Sequence, residues 1–531
     1  MEQVTIGVIS LDSSPTENYT LNTAETRQSF QLSGKSEVNT IPGEKYEELK
    51  MKYIRQHTKA VVLCCLISFG GMILGWDIGT VGGVSIMPSF NNAFGDQTTI
   101  VSSAKELSNM KRGLYISIFN IGCALGGIMF SRLSNTVGRR VGILTAIAKY
   151  TLVLTVQLFS NGNFILLLAS RFVLGVTVGA ISVLVPMFVS ESAPIKIRGA
   201  LVVVYQLAIT LGILFGNILN YMTNKHLSMV DPMNNMAWKI PMLFGYLWAA
   251  IVAVGACITP ESVHFLAKIR NDYESAKISY SIMNNISVFD HETIDYVNNL
   301  LVKQDVYNEN DLRNHKFEFL YGKPKYGKRL LIGIMVMAFQ QLSGINYFFY
   351  YGTSLFKSVG IKDTYATAII LSSVNFISTF AGIYLVESLG RRSTLIYGSF
   401  GMFICMIFYA SFGTLSLRKD LLSFVLIIVT CLFISIFAIT IGPVSFVVVA
   451  ELFPTRTRSV SMSICSSFNW LVNFAIALAT PVIINRIGFL YGFFFAGCLL
   501  LATGFEAFFV PETKNKTEEE IDYMFQNNLK S

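Results

Sequence analysis

Runs of predominantly apolar residues recur along the whole chain. They begin near Ala60, Gly113, Val141, Phe164, Gly199 and Ala237, and after a polar interval near Leu330, Ala366, Ser393, Leu421, Ser459 and Leu490. An α-helix needs about 20 such residues to cross the hydrocarbon of a bilayer. The pattern therefore predicts an all-α membrane protein with twelve transmembrane helices in two groups of six. Composition explains why lipid is the solvent. Of 531 residues, 52% are hydrophobic and only 14% are charged, against roughly a quarter charged in soluble proteins. So few charges cannot clothe a water-facing surface. The net charge of +8 does not point to nucleic acid, because Lys and Arg fall in short connectors rather than on one folded soluble face.

The basic residues set the orientation instead. Arg139 and Arg140, Lys196 and Arg198, Arg391 and Arg392, and Arg456 and Arg458 occupy the second, fourth, eighth and tenth connectors. The long middle segment is also rich in Lys and Arg, and Arg55 and Lys59 precede the first span. The positive-inside rule then puts both termini and the middle segment in the cytosol. The expected organisation is a disordered cytosolic tail over 1–58, a first six-helix bundle over 59–261, a cytosolic linker over 262–329, a second bundle over 330–510 and a cytosolic tail over 511–531. Met1-Glu2-Gln3 opens without the charged region and apolar stretch of a cleavable signal. This topology puts the sequon at Asn18 on the cytosolic side, where it would not be glycosylated. The eight cysteines all lie in apolar runs without zinc-ligand spacing, so they read as packing residues, with neither metal nor cofactor expected.

The two groups of helices repeat one another. Gly138-Arg139-Arg140 returns 252 residues later as Gly390-Arg391-Arg392. Glu191, Pro194 and Arg198 return after 260 residues as Glu451, Pro454 and Arg458, and Pro260-Glu261-Ser262 after 251 as Pro511-Glu512-Thr513. Three ordered matches at nearly constant offset indicate a duplicated six-helix unit, the architecture of carriers whose substrate lies between repeats. A channel would more often build its pore from several subunits. Gly322-Lys323-Pro324-Lys325-Tyr326-Gly327-Lys328 imitates a phosphate-binding loop, but Arg329 replaces the required Ser or Thr and a span follows. No nucleotide is expected as a partner.

Three sets of residues carry a transport mechanism. At the basic ends of the helices, acids accompany arginines: Glu387 precedes Arg391 and Arg392, and Glu191 and Glu451 precede Arg198 and Arg458. With Arg139, Arg140 and Arg456 they could form latches that close in one conformation and open in another, or simply set topology. Within the spans, Asp77 and Arg171 are the notable charges, and a buried charge is costly unless paired. Asp77 lies about 25 Å along an outward-running helix and Arg171 about 10 Å along an inward-running one, so the two could meet in the outer half. Either a structural salt bridge or a proton site would result. Finally, Gln206, Gln340, Gln341, Asn346, Asn375 and Asn469 lie in spans. A carboxamide both donates and accepts without net charge, which suits a neutral, hydroxyl-rich solute. Tyr350, Tyr351, Phe446 and Trp470 could cover the apolar face of a sugar ring. Gly344 could open the seventh span beside its amides, and Gly442-Pro443 could hinge the tenth.

In these stretches the chain resembles the sugar porter family of the major facilitator superfamily, most closely the fungal hexose transporters, from about residue 60 to 515. The matching stretches are Gly75-Trp76-Asp77 with Gly79-Thr80, Gly138-Arg139-Arg140, Arg171 with Gly175 and Gly179, and Pro186 with Ser190-Glu191, Pro194 and Arg198-Gly199. They continue through Gln340-Gln341, Gly344, Asn346 and Tyr350-Tyr351 to Glu451, Phe453-Pro454, Arg456 and Pro511-Glu512-Thr513-Lys514. The resemblance implies the major facilitator fold with a cytosolic helical linker. It also implies that Gln206, Gln340, Gln341, Asn346, Asn375 and Asn469 bond a sugar, with Phe446 flanking it and Tyr351 closing an outer gate. Three sites depart from the family pattern: Asn135 replaces an aspartate before Gly138, Val263-His264 replaces Pro-Arg, and Ser445 replaces a second proline near Phe446. The first of these predicts a weaker latch in the first half.

The function that follows is a hexose transporter of the plasma membrane, not an enzyme, working by alternating access as a facilitated uniporter. Proton-coupled symport through Asp77 and Arg171 is the alternative within the same class. A transporter-like sugar receptor is the alternative from another.

Overall fold

The computed structural model describes residues 57–98, 105–160, 162–194, 197–305, 317–358, 363–415, 419–514 and 516–527. Most of the first tail, with Asn18 and Arg55, and connector residue Lys196 lie outside them. Helices dominate, and a two-residue antiparallel pairing of Gln97–Thr98 with Lys105–Glu106 sits between the first two spans.

The first six spans are Thr58–Val84, Asn109–Val137, Arg139–Leu158, Phe164–Ser192, Arg198–Thr223 and Met236–Ile258. The seventh comprises Tyr326–Leu342 and Ile345–Ser358; the eighth and ninth are Thr364–Ser388 and Arg391–Thr414. The tenth comprises Lys419–Ile439 and Ile441–Leu452. The last apolar stretch, Val460–Phe509, is divided by a short 3₁₀ turn at Gly488–Leu490, giving Thr455–Ile487 and Tyr491–Phe509. Twelve spans result, as the sequence predicts.

Between the sixth and seventh spans run the helices Val263–Lys268, Tyr273–Asn284, His291–Asp305 and Glu318–Tyr321. Val263, Phe265, Leu266, Ala267, Ala276 and Val297 form a small apolar core there. Asp272 caps Tyr273–Asn284 by accepting the Ser275 N–H at 3.1 Å. The hydrogen bonds from Ser275 hold its carboxyl below the ordinary aspartate range.

Close helix contact inside each half depends on small residues, since lipid supplies no hydrophobic drive between spans. Gly75 faces the Ile209 carbonyl so closely that a Cβ would lie 1.9 Å from it. Gly122 and Gly126 oppose the backbone at Phe172 and Val176, and Gly175 and Gly179 face Phe119 and Cys123. The two halves meet chiefly along three pairs of spans: second with eleventh, fifth with eighth, and first with the later segment of the seventh.

Candidate substrate site and charge clusters

The seventh span breaks after Leu342 because Gly344 has φ +89°, a conformation open to glycine and strained for other residues. A Cβ there would also lie 2.8 Å from the Phe495 ring. The break gathers the amides on either side of it. Asn346 Nδ2 donates to Gln341 Oε1 at 2.7 Å, and Gln341 Nε2 donates to Asn469 Oδ1 at 2.9 Å. Asn469 Nδ2 donates in turn to Gln340 Oε1 and to the Met337 carbonyl, both at 2.8 Å. Gln340, only 4% exposed, ends the chain by donating to the Gly442 carbonyl at 3.0 Å. Four carboxamides from the seventh and eleventh spans thus orient one another. Gln341 is only half-buried and keeps further donor and acceptor capacity for a solute hydroxyl.

Asn375 and Trp470 are buried and Phe446 is exposed, and Asn375 is not part of this chain of bonds. Gln206 is half-buried on the fifth span, and its side chain makes no hydrogen bond among the described residues. The tenth span is interrupted at Thr440, with φ −117° and ψ −88°, three residues before Pro443. Pro443 has no N–H to offer the Ile439 carbonyl and its ring crowds that group, so the break lies where a proline interrupts a helix.

Tyr350 and Tyr351 sit where the halves touch, on the end of the molecule remote from the arginine pairs. Tyr351 Oη donates to the Ala477 carbonyl at 2.6 Å, and Asn473 Nδ2 donates to Tyr350 Oη at 3.2 Å. The Tyr350 carbonyl lies against Gly82 of the first span. Further bonds cross between the halves. Asn217 Nδ2 donates to Ser372 Oγ at 2.8 Å, Tyr365 Oη to the Gly83 carbonyl at 2.9 Å, and Ser467 Oγ to the Ala124 carbonyl at 3.0 Å.

Asp77 and Arg171 do meet. The guanidinium engages both carboxylate oxygens, Nη1 with Oδ1 and Nη2 with Oδ2, and lies over the rings of Phe119 and Tyr115 at 4.8 and 5.2 Å. Paired this way, the two charges cost far less than either alone. They are not the only charged residues in the spans. Lys149 lies over Phe130 at 5.4 Å, and Glu506, 2% exposed, accepts the Ser399 hydroxyl at 2.8 Å.

At the arginine-rich ends, Glu191 and Glu451 pair with arginines of neighbouring helices. Arg139 pairs with Glu191 at 3.1 Å, and Arg391 with Glu451 at 3.0 Å. Glu261 accepts the backbone N–H groups of Arg139, Arg140 and Ser262 at 2.9, 3.0 and 2.9 Å. Glu512 repeats this with Arg391, Arg392 and Lys514 at 2.7, 3.1 and 3.0 Å. Each acid supplies the negative cap that the start of the third or ninth span lacks locally, where unpaired N–H groups and the helix dipole favour an anion. Arg140 also donates to the Ala256 and Cys257 carbonyls, and Arg392 to that of Ala507. Arg458 donates to the Phe453 carbonyl at 3.1 Å. The side chains of Glu387, Arg198 and Arg456 lie outside the described residues. The first cluster is bonded as closely as the second, and exposed Asn135 stands apart from it, so these distances give no sign of the weaker first latch expected from that residue.

A family model described as "Sugar (and other) transporter" matches residues 63–525. The chain belongs to the sugar transporter family. Hexose transporter HXT14 of Saccharomyces cerevisiae is 49% identical over 482 residues, covering 88% of both chains. A low-affinity glucose transporter of Kluyveromyces lactis is 37% identical over 511 residues, 94% of this chain and 88% of that one. Among solved structures, the inward open form of the xylose transporter XylE from E. coli aligns with a TM-score of 0.71 at 24% identity, over 88% of this chain and 99% of that one. This is the major facilitator fold.

In this sugar transporter, sequence reasoning passed over several residues that the geometry brings forward. Glu261 and Glu512 were legible only as markers of the repeat. Their capping role needs the sixth and twelfth spans to end beside the third and ninth. Asn217, Asn473, Ser372 and Tyr365 look like isolated polar residues until the halves are docked. Glu506 carried a signal, a lone acid in an apolar run.

Proposed function

We propose that the protein carries a hexose, of the glucose or galactose type, across the plasma membrane as a facilitated uniporter, with both termini cytosolic. The reading rests on the bonded chain Asn346–Gln341–Asn469–Gln340, uncharged donors and acceptors beside a helix break. Such a site matches the hydroxyl groups of a neutral sugar and supplies no nucleophile or metal for chemistry. Gln206, Asn375, Trp470 and Phe446 would complete the site as the halves move. Relatives named for hexose and glucose transport support the substrate class.

Alternating access follows from where the halves touch. Tyr350, Tyr351, Asn217 and Ser372 close the end remote from the arginines, while the Arg139 and Arg391 clusters each stay within one half. With the arginine end in the cytosol, this is an inward-facing conformation, and exchange of the two sets of contacts would open the outer side. Asp77 already has both oxygens engaged by Arg171, which favours a structural pair over a proton carrier. Uptake of labelled glucose and galactose into transport-deficient cells, with and without a protonophore, tests the proposal. Saturable uptake that survives the protonophore is expected. Accumulation against a sugar gradient, abolished by the protonophore, would overturn uniport, and absence of any hexose uptake would overturn the substrate class.

A further inference from the structure

The chain does not end at the last span. Glu518–Gln526 forms a helix with a complete capping box, in which Thr517 and Glu520 satisfy each other's backbone N–H groups. Its residues Ile521, Met524 and Phe525 are buried, at the spacing of one helical face. The most buried charge it meets is Arg329 at the foot of the seventh span, 1% exposed. Arg329 pairs with Asp522 at 2.7 Å and lies over the Phe525 ring at 4.5 Å. Its Nη1 donates to the Leu452 carbonyl, the end of the tenth span, at 3.4 Å. Glu518 approaches Arg458, at the foot of the eleventh span, at 4.0 Å, and Arg458 donates to the Phe453 carbonyl.

The helices held here are the ones that carry the amide chain. Gln340 lies eleven residues beyond Arg329, and Asn469 eleven residues beyond Arg458, close to three turns, so each amide stands above its arginine on the same helix face. At the upper level Gln340 bonds Asn469 and the Gly442 carbonyl, joining the seventh, eleventh and tenth spans. At the lower level Arg329, Arg458 and the terminal helix join the same three.

We propose that the helix Glu518–Gln526 is a positioning element for sugar binding. By fixing the feet of the seventh, tenth and eleventh spans through Arg329 and Asp522, it sets the spacing of Gln340, Gln341 and Asn469. None of its residues touches the amides, so it acts through helix placement. Bonds between carboxamides are short-ranged, and a shift of about 1 Å between the two helices would detune them. Removing Asp522, the half-exposed partner of buried Arg329, also leaves that guanidinium without its counter-charge, which favours displacement of the helix foot.

The inference rests on the hexose-transport reading, and the full-length wild type separates the two. The experiment measures labelled-glucose uptake, with KM and Vmax normalised to surface protein, for the wild type, Asp522→Asn, Asp522→Glu and a chain stopped after Lys516. Asp522→Asn is expected to raise KM about five-fold, about 1 kcal/mol at 1.4 kcal/mol per decade, with Vmax changed less than about two-fold. Asp522→Glu, which restores the charge, should return KM to near wild type, and the truncated chain should exceed the effect of Asp522→Asn. An unchanged KM in Asp522→Asn, or a loss confined to Vmax or surface amount, overturns the positioning role while leaving hexose transport standing. A wild type that takes up no hexose removes both.

Discussion

Gly82 offers the sharpest test of how the halves close. A methyl group at this position would lie 2.8 Å from the Tyr350 carbonyl oxygen and 3.2 Å from that of Phe349, both backbone atoms of the opposite half. Neither can swing aside as a flexible side chain would. Forcing one methyl into such a contact costs about 1–3 kcal/mol, and it costs this only while the ends remote from the arginines are together. The helix-propensity gain of alanine over glycine, about 1 kcal/mol, applies to both conformations and cancels from their equilibrium. Gly82→Ala should therefore shift the population toward the form open at that end by about 5- to 150-fold, with about 30-fold at the midpoint of the range. Ser372 reports the opening, since it is fully buried where it accepts the Asn217 bond. With Ser372→Cys in both backgrounds, a membrane-impermeant thiol reagent supplied from that side should label the Gly82→Ala protein correspondingly faster. Gly504→Ala serves as the control, because a Cβ there meets nothing within 4 Å. An unchanged labelling rate in the Gly82→Ala protein would refute the assignment of this contact to the closed gate.

Other perturbations address the charges and amides. Asp77→Asn alone should cost about 3–5 kcal/mol by stranding the Arg171 guanidinium, and pairing it with Arg171→Met should recover much of the loss in thermal unfolding in detergent. Glu261→Gln and Glu512→Gln should each lose about 1–2 kcal/mol from their helix starts. As the two caps are in different halves, their effects on thermal unfolding should add within about 0.5 kcal/mol. Gln341→Ala removes the centre of the amide chain and should raise the KM for hexose at least about ten-fold, or 1.4 kcal/mol. An uptake assay over a range of sugar concentrations checks it.

Particular residues show what a linear reading can and cannot reach. Asp77 and Arg171 could be matched because helix rise converts sequence position into depth, and two charges at one depth in lipid have strong reason to pair. Gly344 was readable for a similar reason, as a glycine inside an amide-rich apolar run marks a place where the helix can open. Pro443 was readable as well, because a proline withholds an N–H from the carbonyl four residues earlier, and the break at Thr440 adjoins that residue. For the latch acids, position in the chain did not reveal that Glu191 and Glu451 pair with Arg139 and Arg391 on neighbouring helices. Proximity along the chain is a poor guide when helices lie side by side.

Hydropathy and duplication, both properties of the chain read end to end, determined the solvent, the twelve spans, the six-plus-six repeat and the polar amides available for a neutral solute. The strength of that reading comes from the bilayer, which makes length and apolarity almost sufficient conditions for a spanning helix. Tertiary structure decided which polar groups meet: Glu261 and Glu512 as caps for distant helices, Asn217 on Ser372 across the halves, and Asp522 on Arg329 beneath the amides. These pairings join residues more than a hundred positions apart, and hydrogen bonds and ion pairs are decided by a few tenths of an ångström between packed helices, a scale that no local pattern in the sequence encodes.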